Sequence, residues 1–296
     1  MIRRLLSSWP PRLGGMRHSA RVNGIGMDPR VERERNVRHR LRILDLATRL
    51  PALHIAPAFS CIELVDTCYF HLMDDGDRFI LSKGHGAMAQ YAVLTELGVI
   101  SEDDFLNACQ SGSHLGGHPD RGNPGILAST GSLGHGLPIA LGVCLGDREL
   151  GSRATTFVVV GDGELMEGSM WEAILLAPTL GLSNLVVLVD HNGSIARGHI
   201  RDVHPNLLPL VDKFTAFGWQ ALEVDAHRFE EIMDAHGQWD RQRPLVIVGH
   251  SIKGKGVSFM EGNPIWAYRS PSAEEYQIAV AELRADQSQR SEERNA

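Results

Sequence analysis

Cysteine is scarce in this chain. Its four cysteines, Cys61, Cys68, Cys109 and Cys144, are scattered among apolar neighbours, with no CxxC pair and no His/Cys cluster at zinc-ligand spacing. That argues against a disulfide framework or a structural zinc site, and buried free thiols in a reducing cytoplasm are the expectation. No apolar run reaches the roughly 18 residues a membrane-spanning helix needs, because Asp, Glu, Arg, Gly or Pro interrupts every candidate. An excess of positive charge is missing too. A formal net charge of −7 gives no basic field to recommend nucleic acid or an anionic membrane as partner, so any phosphate site must be local. No internal repeat is visible.

What is present suffices for a globular protein: 296 residues, 43% of them hydrophobic, allow one large α/β domain or two small ones. Residues 1–35 are different material, with Arg3, Arg4, Arg12, Arg17 and Arg21 among prolines, glycines and serines, and are expected to form a disordered extension. Leu5-Leu6 is followed at once by Ser-Ser-Trp-Pro-Pro, which leaves no apolar core for a secretory signal. A transit peptide and an over-extended start, with the initiator at Met16 or Met27, both stay open. The final residues, 285–296, read as a polar tail.

Between these ends the pattern is α/β. Helical spacing covers Val37 to Leu50, Phe59 to Met73 and Ala87 to Leu97, with a short strand at Arg78-Phe79-Ile80-Leu81. Residues 111–125, rich in Gly, His, Pro and Asp, form a long loop, and long loops inside compact domains are usually functional. Gly131 to Leu145 reads as a glycine-started helix. Thr156-Phe157-Val158-Val159-Val160 and Leu185-Val186-Val187-Leu188-Val189 are continuous apolar runs flanking a helix from Met166 to Leu180, as in a parallel sheet covered on both faces. Runs at 221–224 and 245–248, with a helix at 229–236 between them, extend the pattern. The expectation is one doubly wound, mostly parallel sheet with helices on both faces, spanning residues 36–284.

In such sheets ligands sit beyond the carboxyl ends of the strands. The first central strand ends in Gly161-Asp162-Gly163-Glu164 and the second in Asp190-His191-Asn192. Asp162 and Asn192 are thirty residues apart, about one strand–helix–strand crossover, so both should emerge at the same edge. A carboxylate and an amide oxygen suit Mg²⁺ or Ca²⁺, hard cations that complete their shells with carbonyls, water and phosphate oxygens. Gly163, lacking Cβ, lets a diphosphate approach its N–H where a helix start favours negative charge.

Gly161-Asp162-Gly163 through Asp190-His191-Asn192 resembles the thiamine diphosphate motif of the transketolase family. The likeness extends to Asp77-Arg78-Phe79-Ile80-Leu81-Ser82-Lys83-Gly84-His85, to Gly117-His118-Pro119 and to Thr130-Gly131-Ser132-Leu133-Gly134-His135-Gly136. Glu164 to Ala173 and Lys253-Gly254-Lys255-Gly256-Val257 fit as well. Five ordered segments over residues 40–284 are similar to the amino-terminal, diphosphate-binding domain of that family.

The resemblance implies that Asp162 and Asn192 ligate the metal through side chains and Ser194 through its carbonyl. Gly163 and His85 would contact the diphosphate, Gly131 and Leu133 would line the aminopyrimidine and thiazolium, and Glu167 would belong to an acidic link between paired active sites. His54, His85 and His118 would act on the substrate, since an imidazole can donate to a hydroxyl or shuttle its proton near neutral pH. Two departures stand out. Ile55-Ala56-Pro57-Ala58 follows His54 where the family is typically glycine-rich, and Trp266-Ala267-Tyr268-Arg269 replaces a Trp-His-Gly segment whose histidine contacts diphosphate and donor. Arg269 and Tyr268 are the candidates to compensate.

The implied activity is ketol transfer by nucleophilic covalent catalysis, with thiamine diphosphate as electron sink and Mg²⁺ or Ca²⁺ as anchor. In the family the glutamate that activates the cofactor comes from a pyrimidine-binding domain that these 296 residues leave no room for. A separate carboxy-terminal subunit supplying that glutamate is therefore expected, in an α₂β₂ assembly, with a ketose (phosphate) and an aldehyde as small-molecule substrates. Competing readings are the α subunit of a 2-oxo acid dehydrogenase or acetoin-type complex, a two-carbon transferase of specialised metabolism, and a non-catalytic paralogue.

Overall fold

A computed structural model of the protein describes residues 28–196 and 198–292. The expectations stated for residues 1–27 lie outside them. Helix α1 (Pro29–Ala47) opens the described chain, with Pro29 at its first turn and the Asp28 carboxylate accepting the Arg30 N–H at 2.9 Å. It starts eight residues before the predicted Val37, so residues 29–35 belong to the fold and not to a disordered extension. Their stretch PRVERER is almost entirely charged and gives no apolar period to read. Charge pairing holds it instead: buried Arg35 donates to Asp66 Oδ1 at 2.8 Å and also pairs with Glu32.

Then come α2 (Ile55–Thr67), buried along its whole length and continued by a π turn (Cys68–Leu72), β1 (Arg78–Leu81), α3 (Ala87–Glu96) and the short α4 (Glu102–Leu106). Helix α5 (Gly136–Glu149) begins five residues after the predicted Gly131. Gly131 and Gly134 adopt φ of +143° and +85°, values a right-handed helix cannot hold, so the glycines make a loop before it. The core unit follows as β2 (Thr156–Gly161), α6 (Gly168–Thr179) and β3 (Leu185–His191). A small hairpin, β4 (Ser194–Ile195) and β5 (Gly198–His199), leads to α7 (Ile200–Val203) and α8 (Leu210–Ala216). Last come β6 (Gln220–Asp225), α9 (Phe229–Gly237), β7 (Leu245–His250) and α10 (Ala273–Glu292).

Helix α10 runs through residues expected to be a polar tail. Ser272 and Glu275 cap it reciprocally, Ser272 N donating to the Glu275 carboxylate at 2.8 Å and Glu275 N to Ser272 Oγ at 3.2 Å, while Ala279 and Leu283 anchor it in the core.

Five strands form one parallel sheet in the order β1-β2-β3-β7-β6. Strand periodicity sends alternate side chains to opposite layers. Phe157, Val159, Val186, Leu188, Leu245 and Ile247 join a core with α1, α2, α3, α9 and α10. Val158, Val160, Val187, Val189, Val246 and Val248 join a second core with α5, α6 and α8. Both faces are covered, which is why the strands read as unbroken apolar runs. The chain runs inward from one edge through β1 and β2 to the central β3, then crosses to the far edge at β6 and returns to β7. The order reverses between β3 and β7, and in open α/β sheets ligands bind beyond the carboxyl ends of the strands at such a reversal.

Candidate active site

The carboxyl ends of β1, β2, β3 and β7 carry the residues singled out above. Registers Gly161↔Asp190 and His191↔His250 align these ends, and Asp162 N donates to Asp190 O at 3.2 Å. Asp162 and Asn192 thus lie at the tips of neighbouring strands on one edge. The buried Asp162 carboxylate takes the Gly193 N–H at 2.6 Å and the His191 Nδ1–H at 2.8 Å on Oδ2, and the Gly163 N–H at 2.8 Å on Oδ1. Oδ2 is saturated, so the lone pair left for a cation is on Oδ1. The bond from Asp162 also pushes His191 toward its charged form.

Asn192 turns its Nδ2 to Asp190 Oδ2 at 3.1 Å, and its Oδ1 accepts the Ser194 N–H at 3.0 Å. A Cβ placed on Gly163 would lie 3.4 Å from the Ser194 carbonyl oxygen, an ordinary contact distance that puts this oxygen beside the Asp162-Gly163 turn. One carboxylate, one amide and one carbonyl oxygen fit a hard cation that shares phosphate oxygens. Among the described residues no group of three or more His, Cys, Asp or Glu is gathered so as to hold a metal ion. One expectation changes: Gly163 opens a single 3₁₀ turn (Gly163–Met166), its N–H is engaged by Asp162, and α6 starts only at Gly168. The dipole available beside Asp162 is that of one turn.

Glu164, which the sequence pattern does not single out, holds three segments together. Buried, it accepts from Ser82 Oγ at 2.6 Å and Gly134 N at 3.0 Å on Oε1, and from Gly161 N at 3.2 Å on Oε2. Burial raises its pKa despite these donors. The loop of Gly131 packs onto the turn of His85 so closely that a Cβ on Gly84 would sit 2.6 Å from Gly131 N. Leu133 is half-buried in the same loop, and Glu167 is exposed at the start of α6 without making a capping bond.

The three predicted histidines converge. The ring of His54 lies 5.9 Å from that of His85 and 5.8 Å from that of His118. They come from the start of α2, the turn after β1 and the long loop, where Tyr91 Oη fixes the His118 carbonyl at 2.9 Å. His54 Nδ1–H donates to the Ala267 carbonyl at 2.6 Å, so its Nε2 is left as an acceptor. Burial lowers the pKa of His54, and burial with the Lys83 charge holds His85 well below the ordinary imidazole range. Tyr268 packs against His54 at 4.6 Å between centroids, whereas Arg269 is occupied by Glu275 at 2.7 Å and by the Trp266 ring. Of the two candidates to replace the missing histidine, only Tyr268 meets the cluster.

Beneath the histidines runs an ion pair between Lys83 and Asp190, both fully buried. Lys83 Nζ also donates to the Pro57 carbonyl at 3.0 Å, and Ser60 and Ser251 donate to Asp190. Burial opposes both charges, but each holds the other ionised: the Lys83 pKa is raised and that of Asp190 lowered. Lys253, from the segment after β7, is buried nearby with a depressed pKa, through burial and then Lys83. Both lysines stand in segments with family likeness, and a charged residue ending an apolar strand was the available signal. A cleft at the opposite, amino end of β1 and β2, lined by Asp74, Asp77, Arg153 and Arg241, contains none of these residues.

A doubly wound α/β domain with carboxylate, amide and imidazoles gathered at its strand tips is a cofactor-binding domain. Residues 66–275 match the family "Transketolase, thiamine diphosphate binding domain". The chain is 35% identical over 257 residues to one of the subunits of the apulose-4-phosphate transketolase of Phocaeicola vulgatus, covering 83% of this chain and 91% of that one. It is 35% identical over 267 residues to the 6-deoxy-6-sulfo-D-fructose transketolase subunit SqwG of Clostridium sp. (strain MSTE9), covering 86% and 96%. Its fold matches the solved transketolase of Leishmania mexicana with a TM-score of 0.76 at 24% identity, covering 89% of this chain but 45% of that one, so it spans less than half that protein's length. The chain belongs to the transketolase family of thiamine diphosphate-dependent transferases.

Proposed function

We propose that this chain is the cofactor-anchoring subunit of a two-component transketolase, which moves a two-carbon ketol unit from a ketose to an aldehyde. The observation that carries the reading is the placement of Asp162 and Asn192 at adjacent strand tips, with the Ser194 carbonyl beside them. These three residues would hold Mg²⁺ or Ca²⁺, and through it the diphosphate, with His85, Gly131, Leu133 and Gly163 around the cofactor. Thiamine diphosphate, when bound, supplies the nucleophilic carbon and the electron sink for breaking a C–C bond beside a carbonyl.

The chain's own share is to orient the ketose and handle its protons. His54 and His85 are biased neutral by burial, so the acceptor nitrogen of His54 takes a substrate hydroxyl and His118, at the exposed rim, completes the cluster. Relatives of nearly the same length are named as transketolase subunits, which supports a second polypeptide here. We assign it the pyrimidine domain and the activating glutamate, in an α₂β₂ assembly with Glu167 at the subunit boundary. Those relatives are named for apulose-4-phosphate and 6-deoxy-6-sulfo-D-fructose, and Ala267 departs from the histidine of many family members. Both favour a specialised ketose as donor. The four cysteines are free and no described helix is long and apolar enough to cross a membrane, in keeping with the cytoplasm.

The test is to assay the purified chain with thiamine diphosphate, Mg²⁺, a ketose phosphate and an aldehyde, with and without a candidate second polypeptide. Turnover is expected only with both. Substantial ketol transfer by this chain alone would overturn the two-component reading.

A further inference from the structure

An asparagine amide has two ends of nearly the same shape, one accepting and one donating. A cation can use only the oxygen end, so something must decide which end of Asn192 faces the site. Asp190, two residues back on the same strand face, is fully buried and receives Asn192 Nδ2 at 3.1 Å. A carboxylate accepts only, so it can pair with the amide's NH₂ end and repels its oxygen. Ser60 Oγ, 2.6 Å from the same carboxylate oxygen, lies 3.4 Å from Asn192 Nδ2 and reinforces this orientation. The Ser194 N–H, at 3.0 Å, completes it by pointing at Oδ1.

We propose that Asp190 is a positioning residue that locks the Asn192 amide with its oxygen toward the divalent cation, and that Lys83 supplies the buried counter-charge this requires. The proposal rests on the metal-anchoring role given above to Asp162 and Asn192. It makes the Ser-Lys-Gly-His turn after β1 a support of the metal site 107 residues further along the chain. The serines on Asp190, Ser60 from α2 and Ser251 from the end of β7, set its rotamer, so with Lys83 three elements besides β3 converge on the carboxylate that holds the amide.

The full-length chain, saturated with thiamine diphosphate, is titrated with Mg²⁺ by calorimetry. Lys83→Met/Asp190→Asn removes both charges together, so no ion is stranded, and an Asn at 190 can pair with either end of the Asn192 amide. The expected result is a Mg²⁺ midpoint raised about 10-fold or more, with circular dichroism unchanged, as for loss of a group that orients a metal ligand. Combining this pair with Asn192→Ala should add almost nothing to the loss from Asn192→Ala alone. A merely structural role would give additive losses, and additivity overturns the proposal, as does a folded double variant with wild-type Mg²⁺ affinity. If the wild-type chain itself takes up no Mg²⁺ with thiamine diphosphate, the metal reading falls and this proposal with it. A wild type that binds beside variants that match it removes this proposal alone.

Discussion

The Nδ1–H of His54 donates to the carbonyl of Ala267 across 2.6 Å, and the Tyr268 ring rests on the same imidazole. One backbone segment therefore fixes both the tautomer of His54 and the wall beside it. Because only a carbonyl is needed, the bond survives the absence of a histidine at 267. Tyr268→Ala should raise KM for the ketose about fivefold, the size of one lost aromatic contact of about 1 kcal/mol, with a smaller change in kcat. Steady-state kinetics of the two-component enzyme check it; an equal loss in both constants would count against a ground-state contact.

Removing Glu164 should cost stability more than its single position suggests. Glu164→Ala strands the Gly134 and Gly161 N–H groups and Ser82 Oγ, at about 1–3 kcal/mol for each buried donor left unpaired. Urea unfolding should show a midpoint well below wild type, and a shift within error would contradict the account.

The charged start of α1 makes a similar prediction away from the site. Arg35→Met leaves Asp66 and Glu32 buried without their guanidinium, and should destabilise by about 3–5 kcal/mol. His39, 2.9 Å from Asp66, softens the loss. If the variant unfolds at the wild-type denaturant concentration, residues 29–35 are not held as described.

Acid should act through the histidine cluster. The folded-state pKa values of His54 and His85 are depressed, by burial first and nearby cations second. Their contribution is fully present above the unfolded imidazole value, about 6.5, and is lost as pH falls below it toward the lowered folded values. Stability measured from pH 8 to 5 should decline less steeply in His54→Gln/His85→Gln than in wild type. Identical slopes would show that these rings do not titrate in this way.

The central strands are legible in the sequence because burial on both faces demands unbroken Val and Leu runs, as in 156–160 and 185–189. The turn chemistry at Gly161-Asp162-Gly163 and Asp190-His191-Asn192 places two candidate site residues at one edge before any coordinates. The first turns of α1 and the start of α10 are not legible, since charge pairs hold the one and a capping box the other, and hydrophobic periodicity holds neither. The loop of Gly131 reads as helix because its apolar content outweighs the positive φ its glycines adopt. The Lys83–Asp190 pair joins residues far apart in sequence, and nothing local says which of two nearby carboxylates, Asp162 or Asp190, turns inward to a lysine.

The most direct test of the account is equilibrium binding of thiamine diphosphate to the full-length chain, with Mg²⁺ and with chelator, for wild type, Asp162→Ala and Asn192→Ala. Binding should be strong only with Mg²⁺ in wild type and should need far more Mg²⁺ in both variants, while all three keep the same fold by circular dichroism. Metal-independent binding in wild type, or undiminished Mg²⁺-dependent binding in either variant, would contradict the claim that these two strand tips anchor the cofactor.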